Sequence, residues 1–290
     1  MPSRAAVPLP SPRVRFGPDF LARLGRLAAR VASLRERREG QGHARLTGVG
    51  AEFVGHRPYR SGEDLRSLDW NLLARLGRPY VRVNAREASE AWAIWVDTSA
   101  SMGVGRPGKW QLAAEVAMAA ASLALARRAT VEIVPSSAPG EVLRLGRREA
   151  LGAALVRLER IEAGGDQGLA TLLARRRPRG AGRVLLIGDF LDLEPRGALA
   201  LAGPRRELCL ARILAREELD PPPGASVRWV DAETGATRVL AVDAGVRQEY
   251  ERRLSRELER WDRAAQRARA ASGTWTSDTP FERVVEALLG

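Results

Sequence analysis

The chain has 290 residues, 45% of them apolar and 28% charged, with a formal net charge of +12 at pH 7. That length buries a substantial core and that composition excludes wholesale disorder. No run of about eighteen uncharged apolar residues is present to span a bilayer, and the longest candidate, residues 113–126, is interrupted by Glu115 and reads as a buried helix. The start of the chain carries Arg4, prolines, Arg13 and Arg15 without the apolar core of a signal peptide, so the expectation is a cytoplasmic protein without a membrane span. Cys209 is the single cysteine, which excludes an intrachain disulfide. It reads as a small buried hydrophobe in a strand, because nothing near it in sequence activates a thiol. The positive charge would ordinarily point to nucleic acid. Here, of 47 basic residues only Lys109 is lysine, and the arginines are scattered among Ala, Leu and Gly with acidic neighbours. That pattern reads as coding bias rather than a phosphate-binding patch.

In chain order, residues 1–17 form a Pro-rich lead. Phe20, Leu21, Leu24, Leu27, Ala28, Val31 and Leu34 then recur at helical spacing up to Arg37 against a basic face. Such a helix fits a membrane surface, but more commonly it packs on its own protein. A glycine-rich loop from Gly40 to Gly50 leads into a dense segment, Glu52 to Arg86, mixing short strands with a turn at Ser61-Gly62 and a helical turn from Asp69 to Arg75. Its Arg57, Tyr59, Arg60, Asp64, Arg66, Asp69, Trp70 and Arg75 read either as a binding surface or, preferably, as a lattice of arginine–carboxylate pairs around Trp70.

From Ala91 strands alternate with helices, the sign of a parallel sheet covered on both faces. The expected elements are a strand ending at Asp97, a helix over 107–128, a strand from Thr130 pairing with Glu141–Gly146 as a hairpin, and helices over 148–161 and 169–176. Strands from Gly182 and Glu207 follow, then a hairpin joined at Thr234-Gly235, a charged helix over 244–271, a last strand and a closing helix over 280–289. The fold expected is α/β, a Rossmann-like doubly wound and mostly parallel sheet with an N-terminal helical and β extension. The domains expected are 1–40 (lead and amphipathic helix), 41–88 (the Arg/Asp-rich segment) and 89–290 (the α/β domain).

The most informative segment is AWAIWVDTSASMGVG. Asp97, Ser99 and Ser101 stand as D-x-S-x-S directly after an apolar strand, with Gly103 and Gly105 marking the turn beyond. One carboxylate and two hydroxyls make a hard-oxygen set suited to Mg²⁺, with Mn²⁺ or Ca²⁺ as related candidates. A doubly wound sheet gathers its functional groups at the carboxyl ends of parallel strands. Asp189 ends such a strand, and the loop Gly164-Gly165-Asp166 falls between the two in sequence.

With these residues the chain resembles a von Willebrand factor A-type domain with a metal-ion-dependent adhesion site. Asp97, Ser99, Ser101 and Asp189 match that pattern, and Asp166 stands where the family has threonine. A further carboxylate over-neutralises a divalent ion and weakens its pull on a partner's acidic group. That substitution leaves three outcomes open: a structural metal, a different coordination, or lost adhesion. The upstream EFVGHRPYRSGEDLRSLDW, with LDPPPG, DAETG and TSDTP further on, is similar to the bacterial DUF58 family, whose motif is R-x-Y-x-x-G-D-D-x-R-x-I-D-W. Here Gly62-Glu63-Asp64 replaces G-D-D, and the chain resembles the members without amino-terminal membrane helices. The resemblance implies a non-enzymatic adaptor or client working with a MoxR-type AAA+ ATPase.

The function expected is therefore a protein-interaction module holding a divalent cation at Asp97, Ser99, Ser101, Asp166 and Asp189. One alternative is a Mg²⁺-dependent phosphohydrolase with Asp97 as nucleophile; it lacks a second aspartate two residues on, where Ser99 stands. His43 and His56 lie upstream and do not supply that role. The other is nucleic-acid binding through residues 57–82, against which the interleaved Glu63, Asp64 and Asp69 argue. No P-loop is present, so any ATP hydrolysis comes from a partner.

Overall fold

The computed structural model describes residues 13–41, 53–59, 68–84, 90–204, 206–221 and 223–290. The expected loop from Gly40 to Gly50, His43, and Arg60 to Arg66 of the dense segment fall largely or wholly outside these. The described residues form two compact units, one from those up to Arg35 together with Ala91–Gly290, the other from those within Glu36–Glu90.

In the smaller unit, β1 (Phe53–Pro58) pairs antiparallel with β2 (Tyr80–Asn84), and α2 (Trp70–Leu76) lies between them in sequence. Asp69 starts α2 by accepting hydrogen bonds from the N–H groups of Asn71 (3.0 Å) and Leu72 (3.1 Å), and Gly77 ends it at φ 65°. Trp70 is 63% exposed. The arginines and carboxylates of the lattice expected around it lie largely outside the described residues.

α1 (Phe20–Gln41) belongs to the larger unit as far as Arg35. Phe20, Leu24, Leu27 and Val31 are buried, the i, i+4, i+7, i+11 stripe of one helix face. That stripe packs in the main core with α9 (Phe281–Leu289), where the Phe20 and Phe281 rings stand 5.2 Å apart and the Arg23 guanidinium grips Glu282 through two bonds of 2.8 and 2.9 Å. The amphipathic helix thus covers its own protein.

The central sheet has six strands in the order β10 (Ala271–Thr276), β7 (Glu207–Leu214), β6 (Arg183–Gly188), β3 (Ala91–Val96), β4 (Thr130–Pro135) and β5 (Leu143–Leu145). All neighbours are parallel except β4 and β5, which form the expected hairpin. Alternation along β3 splits the core: Trp92, Ile94 and Val96 face one side, Ala93 and Trp95 the other. On the first side lie α3 (Lys109–Ala126) and α4 (Ala150–Glu159) with α1 and α9; on the second lie α5 (Leu169–Arg175), α6 (Pro195–Leu199) and α8 (Ala244–Arg267). α3 is rich in alanine and buried nearly all round, which lets its backbone approach the sheet closely. α7 (Arg216–Leu219) and the hairpin of β8 (Gly224–Val230) and β9 (Thr237–Val242) follow β7 in sequence. The Rossmann-like doubly wound reading holds, and strand order reverses between β3 and β6.

Candidate metal centre

Reversal of strand order opens a crevice at the carboxyl ends of β3 and β6, and an aspartate directly follows each strand. Asp97 is 1% and Asp189 2% exposed. Asp97 is held from four directions. Its Oδ1 accepts from the Ser99 N–H (2.8 Å), the Ser99 hydroxyl (2.7 Å) and the Ser136 hydroxyl (3.3 Å), and its Oδ2 accepts from the Leu169 N–H (3.3 Å) at the start of α5. A main-chain bond from the Asp97 N–H to the Ile187 carbonyl (2.7 Å) ties the loop to β6. Gly188 allows this approach: a Cβ there would lie 2.8 Å from that of Asp97 and 3.0 Å from Leu169 Cδ1.

The hydroxyls continue the line of oxygens. Ser99 Oγ and Ser101 Oγ stand 3.1 Å apart, and Ser101 Oγ donates to Asp189 Oδ2 at 3.0 Å. Asp189 Oδ1 accepts from the Leu191 N–H (3.1 Å), a turn made by Phe190 at φ 62°. That strained left-handed residue is fixed by burial of its ring against Trp261, 4.9 Å away. Carboxylate oxygens of Asp97, Asp189 and Asp192 lie within 4.8 Å of one another. Asp192 reaches the cluster because Gly168 has no side chain in its way: a Cβ there would stand 2.2 Å from Asp192 Oδ2.

Crowding shows in the acid strength. Burial first, then the charge of Asp189, push the Asp97 carboxyl from 3.8 up to about 7 against the hydrogen bonds of Ser99. Burial and the charges of Asp192 and Asp189 likewise raise Glu233 in the hairpin turn above the usual range. Opposing this field is Lys109, whose ammonium is 0% exposed and sits 2.7 Å from Asp189 Oδ2 and 2.5 Å from Glu218 Oε1.

Of the five residues expected from sequence, Asp97, Ser99, Ser101 and Asp189 converge. Asp166 is brought to the same region, since the Gly164 N–H donates to the Thr98 carbonyl (2.9 Å) and the Ala100 N–H to that of Gly165 (3.0 Å). Its side chain is nevertheless exposed and stands outside the group of three carboxylates, where Asp192 is found instead. Sequence reasoning missed Asp192, Ser136, Lys109 and Glu218. Asp192 was signalled by its place three residues after Asp189, and Ser136 by directly following the strand next to β3. Glu218 carried no signal of its own.

Cys209 is buried on β7, and burial pushes its thiol up to about 11, as an inert core residue requires. A cleft of about 690 Å³ opens at the other end of the sheet beside the starts of β3 and β4, lined by Arg144, Arg176 and Glu132 among others. It holds none of the clustered oxygens, and Glu132 already pairs with Arg176 (2.7 Å) and Arg144 (3.5 Å).

The donor set is made wholly of carboxylate and hydroxyl oxygen, which fits a hard divalent cation and not a thiolate- or imidazole-seeking metal. Fold and site together define a doubly wound α/β protein with an oxygen-lined crevice at its topological switch point. The chain belongs to the family described as protein of unknown function DUF58, whose model matches residues 55–260. It is 30% identical over 233 residues to the uncharacterized protein Rv1480 of Mycobacterium tuberculosis strain H37Rv and to the uncharacterized protein Mb1516 of Mycobacterium bovis, covering 71% of this chain and 68% of each relative. Among solved structures it is similar to the conserved hypothetical protein BatB from Bacteroides thetaiotaomicron (14% identity, TM-score 0.38, 68% of this chain and 95% of that one). An aerotolerance-related membrane protein from Bacteroides fragilis is similar too, at 15% identity and a TM-score of 0.37, with 69% and 96% covered. Among the described residues of this chain, no helix is long and apolar enough to cross a membrane.

Proposed function

We propose that this protein is a non-enzymatic interaction module that holds a divalent cation, Mg²⁺ or Mn²⁺, in the crevice and uses it to bind an acidic group of another protein. The observation that carries the reading is the convergence of Asp97, Asp189 and Asp192 to within 4.8 Å, with the Ser99 and Ser101 hydroxyls joining the first two. Like charges packed this closely raise one another's proton affinity unless a cation relieves them, and the charge of Asp189 adds in this way to the larger upward push that burial gives Asp97. In the bound state Ser99 and Ser101 would turn their oxygen lone pairs to the ion, and the buried carboxylates would supply the charge. The cation contributes a Lewis-acidic point whose remaining positions, held by water, are open to exchange for a partner carboxylate. The von Willebrand A-like character and adhesion-type site, and a role as adaptor or client of a MoxR-type AAA+ ATPase, belong to the same proposal and rest on the family resemblance.

Calorimetric titration of Mn²⁺ and Mg²⁺ into chelator-treated full chain tests the site. Saturable binding at a single class of sites, lost in Asp97→Ala with the fold retained by circular dichroism, is expected. Absence of binding in the wild-type chain would refute the reading.

A further inference from the structure

The sequence contains one lysine among 47 basic residues, and the fold puts that lysine at the crevice with its side chain wholly enclosed. The position is doubly unfavourable for a cation. Lys109 is the first residue of α3, where the helix dipole presents its positive end, and burying an ammonium costs several kcal/mol unless it is closely paired. Two carboxylates supply the pairing, Asp189 at 2.7 Å and Glu218 at 2.5 Å. Glu218 is itself fixed, because its other oxygen accepts the Ala215 N–H at 2.7 Å. An ammonium is a compact point charge that fits between two carboxylates, whereas a planar guanidinium demands more room and a forked geometry.

We propose that Lys109 is the residue that sets the cation affinity of the crevice and preserves the ion's pull on an anionic group from outside. This rests on the cation-binding reading above. Three carboxylates around a divalent ion leave a net negative site, which would repel a partner carboxylate. Lys109 withdraws part of that charge by occupying Asp189 Oδ2, the oxygen that also accepts from Ser101. The Lys109–Glu218 pair acts on the cluster as a dipole with its positive end against Asp189, since the ammonium is the nearer of the two. Its effect falls off with distance as Coulomb's law requires. The ion is thereby held more loosely than three carboxylates alone would hold it, and the extra carboxylate of Asp192 is offset.

The two members of the pair should act with opposite signs, which a merely structural role would not produce. Mn²⁺ is titrated by calorimetry into the full-length wild type, Lys109→Met and Glu218→Gln at one ionic strength, with circular dichroism to follow the fold. Lys109→Met is expected to bind Mn²⁺ about tenfold more tightly or better, and Glu218→Gln several-fold more weakly. A folded Lys109→Met that binds equally or more weakly overturns the proposal while leaving the cation site standing. A wild-type chain that takes no Mn²⁺ overturns the cation reading and this one with it. Should Lys109→Met fail to fold, the double variant Lys109→Met/Glu218→Gln removes both charges together. It must then bind more tightly than Glu218→Gln alone, and equal affinity overturns the proposal.

Discussion

Replacing Asp97 by asparagine isolates the electrostatic strain of the crevice. Asp97 is 1% exposed, and its carboxyl is pushed from 3.8 to about 7, first by burial and then by Asp189. A raised folded-state value means that the folded chain keeps a proton which the unfolded chain releases, so stability is full below 3.8 and is lost as pH rises through about 7. The whole difference corresponds to about 4 kcal/mol, of which more than half develops between about pH 5 and about pH 8. Asparagine does not titrate. Its carbonyl can take the place of Oδ1 toward Ser99 and Ser136, but its amide nitrogen then faces the Leu169 N–H that Oδ2 now accepts. That mismatch costs about 1 kcal/mol at every pH and cancels when two pH values are compared. Urea unfolding of metal-free wild type and Asp97→Asn at both pH values gives four stabilities. The wild type should lose about 2 to 3 kcal/mol more than the variant on going to the higher pH. Equal losses in the two proteins would refute the reasoning that Asp97 carries the strain.

Leu24→Ala empties a site that is 2% exposed where α1 meets the core, and should cost about 2–5 kcal/mol in urea unfolding; a loss under about 0.5 kcal/mol would mean that α1 is not docked. Gly188→Ala forces its new methyl against Asp97 and Leu169 at 2.8 and 3.0 Å. It should abolish Mn²⁺ binding and lower the melting temperature together, and unchanged binding would show that this contact does not position Asp97. Cys209, with its thiol pushed up to about 11 by burial, should resist alkylation by iodoacetamide at about pH 8 until denaturant is added. Fast labelling of the native protein would place Cys209 outside the sheet core.

What the sequence disclosed follows from the range of the forces involved. The strands before Asp97 and Asp189 were legible because a parallel sheet buried on both faces demands uninterrupted apolar runs, and AWAIWV and RVLLIG supply them. The α1 stripe was legible from its spacing, though only the structure shows α9 as the surface it covers. Asp97, Ser99 and Ser101 were readable because three oxygen ligands stand within five residues. Lys109 and Glu218 join the crevice through separate elements brought together by tertiary packing, and no local pattern encodes that meeting, whereas Asp192 shares the loop of Asp189 and was within reach of the sequence. Asp166 illustrates the converse. Two main-chain bonds strap its loop to the chain beside Asp97. Which way a side chain points from a turn depends on backbone torsions such as the φ of 75° at Gly165, and residue order does not fix these.

The central claim is that the oxygen cluster between β3 and β6 holds a divalent cation. A crystal of the full chain soaked in Mn²⁺, with anomalous diffraction data, tests it most directly. The account predicts one strong anomalous peak bounded by Asp97, Ser99, Ser101, Asp189 and Asp192, with Lys109 still against Asp189. No peak there, or one confined to exposed carboxylates elsewhere, would contradict it.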